Sequence, residues 1–179
     1  MANDLLTFHP EAQMRTMSQE RTFVTRIDLE PDVRGQLTDL LNQQLADTFD
    51  LFSQAKQAHW NVKGAQFFQL HELFDRLAGE LAGQADLIAE RVTALGGLAL
   101  GTARMAAQRS RLAEYDIQAV DSLAVVDVLA TRFAALAAST RTAIHTVEGH
   151  GDVATADLLT EVSRMLDKAL WFLEAHHQH

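Results

Sequence analysis

The sequence predicts an all-α protein, a four-helix bundle with a short extra helix in the connection between helices two and three. Three observations predict it. Apolar residues recur three and four apart over four long stretches, the spacing that lines one face of a helix. Glycines punctuate the stretches, at Gly64, at Gly96 and Gly97, and at Gly149 and Gly151, where helices commonly stop. With 47% hydrophobic residues and only nine Gly and two Pro in 179 residues, the chain is apolar enough for one sizeable core and poor in loops.

Residues 1–30 are polar and weakly patterned and read as a flexible N-terminal tail. Helix one is expected to start at Glu30-Pro31-Asp32, with Pro in the first turn. Its stripe is Val33, Leu37, Leu40, Leu41, Leu45, Phe49 and Phe52, continuing to Trp60 and Val62. Helix two starts near Gln66, with Phe67, Leu70, Phe74, Leu77, Leu81, Ile88 and Leu95 on one face. Residues 97–119 are a connection too long to lack structure, and 102–112 is its candidate helix. Helix three takes Asp121 or Ser122 as its cap and shows Leu123, Val126, Leu129, Phe133, Leu136, Ile144 and Val147. Helix four runs from about Val153 to Ala175, so the bundle spans 31–176 and 177–179 form a C-terminal tail.

Composition narrows the chemistry. The absence of Cys excludes disulfides and thiolate metal sites. Any metal is held by His, Asp or Glu, which suits iron, zinc or manganese. A net charge of −9 argues against a basic nucleic-acid surface and fits a protein that attracts cations. No apolar run is read as reaching the length of a membrane span. The N-terminus lacks a basic-then-apolar leader pattern, so the expected location is the cytoplasm.

The informative polar residues cluster on or near helix two. His59 lies late in helix one. His71 and Asp75 are four apart, and so are Asp86 and Glu90. Measured from His71, Asp75 lies about 40° round the helix, Asp86 about 60° and Glu90 about 100°, one stripe close to the apolar face. Ionisable groups are seldom placed there unless paired or bound to metal. His71 and Asp86 are nevertheless about 22 Å apart along the axis, and metal–ligand bonds are about 2 Å long. The pairs therefore cannot grip one ion within one straight helix. Each is half a site, completed by other helices of the chain or by a second subunit; the plainer alternative is two surface ion pairs. If two copies of helix two cross antiparallel near residues 80–81, His71 and Asp75 of one copy face Asp86 and Glu90 of the other. The crossing would fall at Ala78-Gly79-Glu80-Leu81-Ala82-Gly83, where small residues allow close approach. An intrachain di-iron bundle needs two Glu-x-x-His motifs on separate helices, and this chain has one, Glu174/His177, in its tail.

Two stretches resemble the signatures of a known family. His59-Trp60-Asn61-Val62-Lys63-Gly64 with Leu70-His71-Glu72-Leu73-Phe74-Asp75, and Asp86-Leu87-Ile88-Ala89-Glu90-Arg91 with Leu95-Gly96-Gly97, resemble the Dps family of mini-ferritins. Lys56-Gln57-Ala58 and Asp167-Lys168-Ala169-Leu170-Trp171 also fit, and the resemblance spans roughly residues 35–175. It implies a ferritin-like bundle assembled as a twelve-subunit homo-oligomeric shell. It implies a ferroxidase that oxidises iron (Fe2+ to Fe3+), with hydrogen peroxide as oxidant, and stores the product. By position it implies that His59 of one subunit and Asp86 and Glu90 of its neighbour hold a first iron. His71 and Asp75 support a second, weaker one. Trp60 would lie beside the site and take up stray oxidising equivalents; read from the sequence alone, it is better explained as plain core. Lys56 would reach the site through a salt bridge or serve only the surface. The resemblance further implies a cation entry pore lined by Asp152, Asp157 and Glu161, although acids at a helix start also simply complement the helix dipole.

Some members of that family compact DNA through a lysine-rich tail. Here residues 1–31 carry Arg15, Arg21 and Arg26 against Asp4, Glu11, Glu20, Asp28 and Glu30, and no Lys. Affinity for DNA rests largely on neutralising phosphates, so weak DNA binding is expected. A DNA-protecting nucleoid scaffold, with iron secondary, is the alternative function. His176, His177 and His179 read as a solvent-exposed tail, with metal binding as the second option. His9, His145 and His150 carry no usable signal.

Overall fold

The computed structural model describes residues 21–178. His9, Asp4, Glu11, Arg15, Glu20 and His179 lie outside them. The order is α1 (Pro31–Asn61), α2 (Phe67–Ala94), α3 (Ala103–Arg109), α4 (Ser122–Gly149) and α5 (Val153–Glu174). Pro31 occupies the first turn of α1, where its missing N–H costs nothing. Thr102, Asp121 and Asp152 cap α3, α4 and α5, each accepting a backbone N–H. Such caps are worth about 1 kcal/mol each.

Four long helices pair as two antiparallel hairpins, α1 with α2 and α4 with α5. Cross-helix contacts set the register. Lys56 meets Asp75 and Arg141 meets Asp167. Thr140 donates to Gln44 at 3.1 Å, while the bridge between Lys63 and Asp121 joins the opposite end, so α1 and α4 are also antiparallel. The core holds Phe74, Phe133 and the fully buried leucines 37, 41, 51, 70, 77, 81, 129 and 136, each contributing about 1.5–3 kcal/mol by leaving water. Among the described residues α4 is apolar and long enough by composition to cross a membrane, contrary to the sequence expectation. Its apolar face is already used: Val126, Leu129, Phe133, Leu136 and Val147 are buried in the bundle.

The connection from α2 to α4 must travel the length of the bundle, which explains its size. It is tied to α1 by a ladder of polar side chains. The Asn42 amide donates to the Leu98 carbonyl and accepts from the Leu100 N–H. Gln43 donates to the Arg109 carbonyl. Asp47, 1% exposed, accepts from the Arg111 backbone and guanidinium. Asp50 accepts from Ser110 at 2.6 Å, and Gln54 donates to the Ala113 carbonyl.

Residues 21–30 depart from the expected loose tail. The Phe23 N–H donates to the Gly96 carbonyl at 2.8 Å, and Ile27 and Leu29 pack on the core. These apolar residues alternate with polar ones, the pattern of an extended segment laid on an apolar surface. Gly96 makes the crossing possible. Its φ is +87°, and a Cβ there would lie 2.4 Å from the Phe23 carbonyl oxygen. His176 and His177 are likewise tethered. The His176 Nδ1–H donates to the Phe172 carbonyl at 2.8 Å, and His177 Nε2 lies 3.5 Å from Asp127.

Candidate metal centre

His59, near the end of α1, and His71, one turn into α2, face each other across the first hairpin. Their rings stack with centroids 3.8 Å apart. The hydrogen bonds are reciprocal: His59 Nδ1–H donates to the His71 carbonyl at 2.8 Å, and His71 Nδ1–H donates to the His59 carbonyl at 2.9 Å. A carbonyl oxygen only accepts, so each Nδ1 carries the proton. In the neutral ring this leaves Nε2 with its lone pair, the tautomer in which imidazole binds a metal through Nε2.

Asp75 completes this half. Its carboxylate lies 3.9 Å from His59 Nε2 and 2.6 Å from Lys56 Nζ. The hydrogen bond from Lys56 holds the Asp75 carboxyl below the usual carboxylate range; desolvation opposes it, and nearby positive charge, that of Lys56 first, adds to it. Asp75 is thus ionised throughout the neutral range. The Lys56 ammonium also lies 5.7 Å from the Trp60 ring centroid, a cation–π distance.

Asp86 and Glu90 do not join this group. They sit further along the same face of α2, both exposed. Among the described residues no three His, Asp or Glu side chains of one chain gather as a metal site. Between the two halves the face is open: Gly79, Ala82 and Gly83 are exposed, and a Cβ on either glycine would touch nothing within 4 Å. A groove beside it is lined by Phe49, Phe52, Ala85 and Ala89. Within one chain, nothing explains two glycines in mid-helix, each costing about 1 kcal/mol against Ala.

Trp60 is not core. It is 61% exposed and lines a groove between α1 and the connection with Tyr115 and Ile117. The expected pore acids divide. Asp152 is buried, accepts two hydrogen bonds from Arg91 and one from Thr155 Oγ1, and so is no free acid. Burial pushes its carboxyl up, but the bonds from Thr155 and Arg91 outweigh this and leave it below the ordinary range. Asp157 and Glu161 are exposed. Sequence reading missed Phe67, whose ring tilts against His71 at 5.2 Å; its place one turn before His71 was the available signal.

Two antiparallel helical hairpins packed as a bundle fit a ferritin-like protein, and the ferritin-like domain model matches residues 38–179. The chain is 41% identical over 158 residues to the DNA protection during starvation protein of Agrobacterium fabrum, covering 88% of this chain and 98% of that one. The chain belongs to the Dps family. Among solved structures it is similar to DpsC from Streptomyces coelicolor, with TM-score 0.85 and 31% identity over 92% of this chain and 97% of that one. It is also similar to an archaeal Dps homologue from Halobacterium salinarum, with TM-score 0.82 and 27% identity over 92% and 93%.

Proposed function

We propose that this protein is an iron-oxidising, iron-storing mini-ferritin whose ferroxidase sites are shared between subunits of a homo-oligomeric shell, a dodecamer. One observation carries the reading: two half-sites lie on one exposed stripe of α2, too far apart to meet within a chain, with small residues midway between them. A two-fold axis through that midpoint brings the halves together.

Iron is the substrate. His59 of one subunit with Asp86 and Glu90 of the other hold one ferrous ion; His71 and Asp75 support the second. The neutral imidazoles keep affinity for Fe2+, and the carboxylates favour Fe3+ by offsetting its added charge. Two Fe2+ give up one electron each, and hydrogen peroxide takes both electrons and two protons to become two waters. No hydroxyl radical is released. Trp60, beside Lys56, is placed to take up stray oxidising equivalents. The exposed Asp157 and Glu161 at the start of α5 focus cations toward an entry pore, with Asp152 withdrawn by Arg91.

The direct test is anaerobic loading with ferrous iron followed by peroxide. Asp86→Ala/Glu90→Ala is expected to slow iron oxidation by about 100-fold or more, since loss of groups that merely support metal ligands already costs about 10–100-fold. Unchanged oxidation in that variant sinks the proposal. Lys56→Met is expected to have the opposite sign for the second ion. It removes the ammonium competing for Asp75, an exposed pair whose attraction water screens. The second Fe2+ should bind about two- to fivefold tighter in anaerobic calorimetry.

A nucleoid scaffold is the second reading, favoured by the name of the Agrobacterium relative. The net charge of residues 1–31, three Arg against five acids, opposes direct DNA binding. In gel shifts at neutral pH, binding is expected to vanish between low and moderate salt; a salt-resistant shift would overturn this.

A further inference from the structure

Beyond the five ligand positions, the same stripe of α2 ends in an aromatic residue with no assigned task. Phe68 is 69% exposed although it lies at the start of a helix beside a packed core. It is three residues before His71, so it sits about 60° round from it, level with Asp86 and central on the stripe. Extending the two-fold register outward from residues 80–81 gives a fixed series of opposed positions. Gly79 meets the partner's Ala82, Asp75 the partner's Asp86 and His71 the partner's Glu90. Phe68 then meets the partner's Thr93. Side-chain size rises along Gly79, Asp75, His71 and Phe68 with distance from the crossing, which is about 2 Å away at Gly79 and about 19 Å away at Phe68. Crossing helices diverge in the same way: axes about 8 Å apart at a shallow crossing of about 20° are about 10 Å apart at Phe68. Thr93 suits an aromatic neighbour, because its hydroxyl is already spent on the Glu90 carbonyl at 2.8 Å.

We infer that Phe68 is a positioning residue for the shared site: it packs on the partner's Thr93 and closes the flared end of the helix crossing, shielding the His71 and Glu90 end from bulk water. The inference rests on the shared-site reading above. The occupant of this face is a second copy of the chain, because the face is continuous with the interface that completes the site.

The chain has no Cys, so crosslinking in the full-length protein is clean. Phe68→Cys/Thr93→Cys, treated with a short bis-maleimide, is expected to give a covalent dimer on a denaturing gel. Within one helix these positions are about 37 Å apart, which rules out a link inside one chain. Asp75→Cys/Asp86→Cys should also link, and Phe68→Cys/Leu87→Cys, with Leu87 off the stripe, should not. Linkage at 75/86 without linkage at 68/93 leaves the interface standing and removes the role of Phe68. Linkage at neither pair removes the shared-site reading together with the inference. Shielding is read separately with terbium, using the luminescence component abolished by Asp86→Ala/Glu90→Ala. Phe68→Ala should shorten its lifetime in H2O but not in D2O, and Phe68→Leu should restore it. Lifetimes unchanged by Phe68→Ala would overturn the shielding.

Discussion

Two inactive variants of this chain are expected to restore one another when co-assembled. One lacks the histidine half, as His59→Ala/His71→Ala/Asp75→Ala; the other lacks the carboxylate half, as Asp86→Ala/Glu90→Ala. A two-fold pair contains two sites, each built from the first half of one subunit and the second half of the other. In a mixed pair one site draws both its halves from intact segments, and the other draws both from mutated ones. Random mixing makes half of the pairs mixed, so about a quarter of wild-type iron oxidation should return. The measurement is peroxide-dependent Fe2+ oxidation after joint refolding, with each variant refolded alone as the baseline. Activity that stays at baseline in an assembled mixture would show that both halves belong to one chain's site.

The second large effect concerns stability. Arg91 and Asp152 join the end of α2 to the start of α5, with N···O distances of 2.8 and 2.9 Å. Asp152 is 4% exposed. Arg91→Met removes the cation facing that carboxylate and leaves it with Thr155 alone, and breaking one partner of a buried pair costs about 3–5 kcal/mol. At fixed protein concentration Tm should fall by about 10 °C or more. Adding Asp152→Asn should recover part of the loss. The pH dependence has a definite sign. The folded Asp152 carboxyl lies below its ordinary value, so its contribution is complete above the unfolded value of about 3.9. It is lost as pH falls through the lower folded value. In Arg91→Met the bonds from Arg91 are gone while burial remains, so the carboxyl moves up and its acid-linked loss shrinks; the stability gap between the two proteins should narrow as pH falls toward 3. Thermal melts of both proteins from pH 3 to 7 read this out.

The long helices were legible because their periodicity is strong. Expected starts at Pro31, Gln66 and Val153 lie within a residue of the observed helices. The candidate site was legible for a similar reason: ligand spacing on one helix fixes both a shared face and an unbridgeable gap. The unread features depend on partners distant in sequence. Asn42, Gln43, Asp47, Asp50 and Gln54 lie outside the apolar stripe and carry no motif, yet they bind a segment about sixty residues away. Asp152 looked like a pore acid because Arg91, 61 residues earlier, gave no hint of reaching it. Residues 21–30 looked loose because their apolar positions are few, and the surface that seats them exists only once Gly96 has turned the chain. Trp60 lacked any sequence mark of exposure.

All five proposed ligands lie between residues 59 and 90, within the single hairpin of α1 and α2. The α4–α5 hairpin supplies none of them. On the proposed reading it serves the site as a backing plate, packing against the side of the first hairpin away from the stripe. The division leaves the second hairpin free to change. On the proposed reading, substitutions on its exposed face would retune ion entry or surface charge and leave the five ligand positions as they are.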